Sequence, residues 1–167
     1  MVFTSMEEEY VDKDMMFLLM ASRYAKKHSG CTKVSVGSCI VQRDRVIAFG
    51  ANRAVPDDCR SKGCLRIEKY GENSKAHRNP EDCRAIHSEI DAICQALQTE
   101  PYRVKRSTIY VTRYPCESCA RAIIAAGIKR VVYGRDQIIS ELTQRMFDEA
   151  GVECINYPDF HEEDTAI

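Results

Sequence analysis

The sequence predicts an α/β domain, and three observations carry that reading. After residue 84, apolar stretches with a period of two alternate with stretches of helical period. That order pairs strands in parallel through right-handed helical crossovers. A helix and a two-strand hairpin stand ahead of them, so the full order reads αββαβαβαβ. At 167 residues the chain has the size of one domain able to bury its own core. It is read as a single unit, 1–167, with a cysteine-bearing insertion at about 53–83.

The first helix is expected over 12–28, where Met16, Leu19, Met20 and Tyr24 recur at helical spacing and Ser29-Gly30 ends the pattern. Residues 34–41 and 45–51 read as strands joined by the polar turn Arg43-Asp44, a hairpin. The insertion is polar, rich in both charge signs and without a sustained period. A stretch of that length inside a compact domain is functional or is held by something other than a core. The next helix, 85–98, sets Ile86, Ile90, Ile93 and Leu97 on one face. A strand at 108–112 is bounded by Pro115, and a helix at 116–126 carries Ala120, Ile123 and Ile124 before Gly127 stops it. The remaining elements are a strand at 129–133, a helix at 141–150 with Leu142, Met146 and Phe147, and a short strand at 152–156.

Composition narrows the function. The chain is 44% apolar and 29% charged with a net charge of -1, so no global basic field draws it to long nucleic acid. One phosphate on a small substrate needs only a local Arg or Lys cluster. No apolar run approaches the roughly 18 residues that span a membrane. The first fourteen residues are acidic and lack a signal-peptide pattern, which places the protein in the cytoplasm. There, nine cysteines point to metal or to packing and away from disulfides. Cys39, Cys94 and Cys154 fall in apolar patterns and are expected in the core.

Chemistry concentrates in two segments, His87-Ser88-Glu89 and Pro115-Cys116-Glu117-Ser118-Cys119. One imidazole and two thiolates are three zinc ligands, the number that leaves a fourth position for water. Each segment opens a predicted helix. Helical side chains lean toward the N-terminus, so first-turn residues of two helices can meet beyond both ends. The positive helix ends favour the thiolate forms of Cys116 and Cys119. Pro115 stands where a missing N–H costs little. Glu89, two residues after the imidazole, is the proton carrier beside the water. Two other readings use the same residues: a structural zinc closed by a further cysteine, or a redox CxxC, which leaves His87 and Glu89 without a role.

The pattern H-x-E…P-C-x-x-C is a signature of zinc-dependent nucleobase deaminases. The runs His87-Ser88-Glu89-Ile90-Asp91-Ala92-Ile93, Ile109-Tyr110-Val111-Thr112-Arg113-Tyr114-Pro115-Cys116-Glu117-Ser118-Cys119-Ala120 and Ala126-Gly127-Ile128-Lys129 resemble deoxycytidylate (dCMP) deaminases over most of residues 12–157. The resemblance implies the three-layer α/β/α cytidine deaminase-like fold with a five-stranded mixed sheet. It implies Zn2+ on His87, Cys116 and Cys119, with Glu89 as proton shuttle in the hydrolysis of dCMP to dUMP and ammonia. It also implies a homo-oligomer with dCTP and dTTP as effectors. Where that family has G-Y-N-G, this chain reads Gly50-Ala51-Asn52-Arg53. Asn52 matches the position expected to touch the deoxyribose. Arg53, in place of a glycine, either reaches a phosphate or is a solvated loop charge. Arg113 stands before the proline motif as a further substrate contact, and Ser88 replaces a more usual alanine.

Some members of that family carry a second, structural zinc near this insertion. Cys31, Cys59 and His77 match ligand positions there, with Cys64 and Cys83 as further candidates. Four such ligands close a site and would shape a segment without a core; the alternative is reduced cysteines in a loop. Rival functions are a deaminase of another pyrimidine or of tRNA adenosine, and a catalytically silent zinc- or nucleotide-binding regulator. The near-neutral charge weighs against tRNA, and the presence of Glu89 against a silent scaffold.

Overall fold

Among the described residues, twelve elements follow in the order α1 (Lys13–His28), β1 (Gly37–Gln42), β2 (Arg45–Ala51), α2 (Cys59–Lys62), α3 (Leu65–Tyr70), α4 (Ser88–Thr99), α5 (Pro101–Val104), β3 (Thr108–Arg113), α6 (Glu117–Ala125), β4 (Arg130–Arg135), α7 (Glu141–Ala150) and β5 (Glu153–Asn156). They come from a computed structural model that describes residues 12–54, 58–72, 82–135 and 139–160. The expected αββαβαβαβ order is present, with α2, α3 and α5 in addition.

The strands form one sheet in the order β2-β1-β3-β4-β5. β1 runs antiparallel to both β2 and β3, and β3, β4 and β5 run parallel. The hairpin turns on Arg43 and Asp44, both at positive φ (52° and 59°), the backbone pair whose twist matches the flanking strands. Side chains alternate across the sheet. Ile40, Ile109, Val111 and Val131 face one core with Ala92, Ile93, Ile123 and Phe147. Their neighbours Cys39, Val41, Tyr110 and Val132 face the other with Phe17, Leu18 and Ala21 of α1. Helix α1 therefore covers one face, and α4, α6 and α7 cover the other, giving three layers.

Where the structure departs from the sequence reading, the causes are local. Helices α2 and α3, of four and six residues, are too short to show a period. Asp58 caps α2 through the N–H groups of Arg60 and Ser61. Helix α5 has Pro101 in its first turn, a start signal that the apolar pattern alone does not register. Helix α4 begins at Ser88, so Ile86 falls ahead of it, and Leu97 is 48% exposed; of the expected face Ile93 is buried, with Ala92 and Ala96 beside it. Cys94 is exposed on that helix and is not a core residue, whereas Cys39 is buried and Cys154 packs at the core margin.

Candidate metal and active site

Helix α4 is brought onto the sheet by a close approach at Gly50. A Cβ there would lie 2.1 Å from the Ser88 carbonyl oxygen and 2.4 Å from the Ala92 nitrogen. Only glycine lets β2 sit against the first turn of α4, and this contact fixes where His87 and Glu89 stand. The strand then continues as an isolated bridge between Arg53 and Ile86, with the Ile86 N–H donating to the Arg53 carbonyl at 2.9 Å.

His87 and Cys116 occupy N-cap positions, one residue ahead of the predicted first turns, and Cys119 lies in the first turn of α6. Their carbonyls accept the opening helical bonds, from Asp91 and Ala120. Neither side chain caps its helix, and both turn to one another. His87 Nδ1 lies 3.4 Å from each of the Cys116 and Cys119 sulfurs. All three ligand atoms lie within 4.8 Å of one another, the one such group of His, Cys or carboxylate atoms among the described residues. Zinc–nitrogen and zinc–sulfur bonds of about 2.0 and 2.3 Å at a tetrahedral angle put nitrogen and sulfur about 3.5 Å apart, so the donors fit that ion.

The three donor groups are strongly coupled to one another. Hydrogen bonds from Cys119 and His87 hold the Cys116 thiol down at about 4. Cys119, donating to Cys116 and buried, is pushed well up. The bond to Cys116 raises the His87 imidazole to about 9. Glu89 is 4% exposed. Burial raises its carboxyl above the ordinary range, against the lowering effects of its own N–H, His87 and Ser88. The Ser88 hydroxyl donates to Glu89 Oε2 at 3.1 Å.

His87, Ser88, Glu89 and Cys116 line a cavity of about 760 Å³, within the range of small-molecule sites. Three cationic side chains, Lys33, Arg66 and Arg113, share its wall with Asn52. Asn52 Oδ1 accepts from Ser29 Oγ at 2.7 Å and from the Val36 N–H at 2.8 Å, and Nδ2 donates to the Val34 carbonyl at 2.9 Å. Asn52 thus ties the 29–36 loop to the end of β2. Arg113 reaches the cavity with its Nε buried and unbonded.

Arg53 stands elsewhere. It is not in the cavity wall, and its Nε and Nη2 each donate at 2.9 Å to Asp91, whose side chain is buried. Arg53 is thus held in an ion pair with the buried Asp91 and is not turned into the cavity. Sequence reasoning also passed over Tyr114, a buried cavity residue whose hydroxyl has no bonding partner. It passed over Ser140 as well, which donates to the cavity residue Glu117. Only their places beside the PCxxC segment and at a helix start hinted at them.

Of the cysteines considered for a second zinc, Cys59 and Cys64 are hydrogen-bonded, and Cys31 and Cys83 are near enough to raise the Cys59 thiol further after burial, to about 11. Cys31 and Cys83 also line the cavity. No three of these four sulfurs converge within 4.8 Å among the described residues, and His77 lies outside them. No described helix is long and apolar enough to cross a membrane.

Comparison with known proteins places this arrangement. The family profile described as "Cytidine and deoxycytidylate deaminase zinc-binding region" matches residues 11–135. ComE operon protein 2 of Bacillus subtilis is 35% identical over 140 residues, covering 81% of this chain and 67% of that protein. The deoxycytidylate deaminase of Schizosaccharomyces pombe is 33% identical over 147 residues, 86% of this chain; the chain spans only 44% of that enzyme's length. The crystal structure of dCMP deaminase from the cyanophage S-TIM5 in complex with dCMP and dUMP superposes with a TM-score of 0.67 at 22% identity, covering 85% of this chain and 94% of that one. That likeness confirms the three-layer fold with its five-stranded mixed sheet. The chain belongs to the zinc-binding cytidine and deoxycytidylate deaminase family.

Proposed function

We propose that this protein is a hydrolytic deaminase of a cytosine nucleotide, converting dCMP and water to dUMP and ammonia. One observation carries the reading: His87, Cys116 and Cys119 converge on a point in a cavity wall beside a buried carboxylate, Glu89. His87, Cys116 and Cys119 hold Zn2+, which when bound supplies the Lewis acidity that makes water nucleophilic at neutral pH. Glu89 takes a proton from the attacking water and delivers it to the ring nitrogen. It then carries the water's remaining proton, from the hydroxyl now on the ring carbon, to the amine, which leaves as ammonia while that carbon keeps the oxygen as a carbonyl. A carboxyl with a raised proton affinity suits both directions of transfer.

The cationic wall of Lys33, Arg66 and Arg113 supports a phosphorylated substrate, and Arg113 and Asn52 are the proposed substrate contacts. The family relationship supports the finer parts of the reading: dCMP as the nucleotide, a cytoplasmic homo-oligomer, and dCTP and dTTP as effectors. A second, structural zinc on four of Cys31, Cys59, Cys64, His77 and Cys83 is supported by that resemblance and by the Cys59–Cys64 contact. Ammonia release measured across dCMP, CMP, dCTP, deoxycytidine and cytosine tests the function. The reading expects dCMP to be preferred, and failure on every pyrimidine with zinc bound refutes it. Metal analysis expects two zinc ions per chain; one would remove the structural site.

A further inference from the structure

Ser88, between the imidazole and the carboxylate of the motif, is fully buried, and so is Ser38 on β1. Their hydroxyl oxygens lie 2.7 Å apart. Ser88 has one hydroxyl proton, which it gives to Glu89 Oε2 at 3.1 Å, so Ser38 is the donor within the pair. A buried hydroxyl without a partner costs free energy. Alanine would start α4 equally well and would fit a buried strand position at 38. Each serine alone would lose its use: Ser38 has Ser88 as its side-chain partner, and Ser88 links Ser38 to the carboxylate. The two hydroxyls form a short chain from the sheet to Glu89.

We infer that Ser88, anchored by Ser38, is a positioning residue that fixes the orientation of the Glu89 carboxylate for proton transfer. The inference rests on the deaminase reading of the site. Glutamate has three side-chain torsions, and proton transfer depends steeply on where its oxygens stand. Pinning Oε2 to the sheet removes the last of those freedoms. Ser38 does not touch the reacting atoms and acts only through Ser88.

The test uses the zinc-loaded full chain and the variants Ser88→Ala, Ser38→Ala and the double replacement. Zinc content is expected to stay at the wild-type value in all three. For Ser88→Ala, kcat on dCMP falls about fivefold, the equivalent of roughly 1 kcal/mol for one hydrogen bond, while KM stays within twofold. Ser38→Ala lowers kcat less, and the double variant matches Ser88→Ala because the first hydroxyl works through the second. An unchanged kcat in Ser88→Ala, or effects that multiply in the double variant, overturns the inference. A crystal structure of zinc-loaded Ser88→Ala gives a readout independent of activity. The Glu89 carboxylate should be displaced or split between conformers, and a carboxylate in its wild-type position overturns the inference. Absence of ammonia release by the wild-type chain counts against the deaminase reading, and the carboxylate geometry then decides the positioning role.

Discussion

Replacing Arg53 by alanine separates a structural ion pair from a phosphate contact. In the structure Arg53 makes two charge-assisted bonds of 2.9 Å to Asp91, whose side chain is 2% exposed against 31% for Arg53. Asp91 keeps the Ala51 N–H at 3.1 Å after the truncation, but its charge loses its partner. Breaking a buried pair from one side costs about 3–5 kcal/mol. Solvent reaches about a third of the Arg53 side chain, and the surviving N–H bond relieves part of the stranded charge, which lowers the figure to about 2–3 kcal/mol. At about 2–4 °C per kcal/mol for a chain of this length, Tm falls by about 5–10 °C. The assay pairs thermal unfolding with the ratio of kcat/KM for dCMP to that for deoxycytidine. Loss of a structural pair lowers Tm and leaves the ratio alone. An unchanged Tm with a tenfold fall in the ratio would refute the assignment and return Arg53 to the phosphate.

Four further outcomes are expected. Glu89→Gln keeps its zinc by metal analysis and loses about 10²–10⁴ in kcat, the span of a positioned proton carrier. Stripping the metal with a chelator abolishes ammonia release, and added Zn2+ restores it. Gly50→Ala pushes a methyl into the backbone of α4, costing about 3 kcal/mol in chemical denaturation and lowering activity through displaced His87 and Glu89. Asp14 accepts from Arg130 at 3.0 and 2.7 Å and from the Tyr110 hydroxyl at 2.8 Å, and Arg130 above all holds its carboxyl below the usual range. That contribution is complete above about pH 5 and is lost as pH falls through the lowered value. Asp14→Asn therefore loses about 2 kcal/mol at pH 7 in urea unfolding, and the gap from wild type narrows toward pH 3.

What the sequence made legible was what is encoded locally. The hairpin turn at Arg43-Asp44, the exact span of α7 and the parallel β3-β4-β5 run follow from patterns a few residues long. The motif residues are also local, since both segments announce helix starts. Arg53 could not be read the same way, because its partner Asp91 lies 38 residues away. The Ser38–Ser88 pair is separated by 50 residues and exists only because β1 and α4 share a sheet face. Leu97 and Cys94 misled because an apolar residue on a helical pattern does not say which side meets the core, and Ile86 because it pairs with Arg53 ahead of the helix. Here the packing is so close at Gly50 that the small residues Ala92 and Ala96 face the sheet.

The helix starts show what the site costs the fold. Among the helices of eight or more residues, α1 and α7 begin with side-chain caps from Asp12 and Ser140. Helices α4 and α6 begin with His87 and Cys116, which make no capping bond. A capping serine or aspartate at each would stabilise its helix by about 1 kcal/mol. Both helices forgo that stabilisation so that an imidazole and a thiolate can stand at positive helix ends, where backbone N–H groups favour anionic sulfur. The two uncapped starts share one cavity wall with Glu89. Two independent helix starts lacking the same stabilising bond, with their side chains 3.4 Å apart, are accounted for by a ligand that binds both. Metal loading should therefore stabilise α4 and α6 together, through the residues that caps would otherwise occupy.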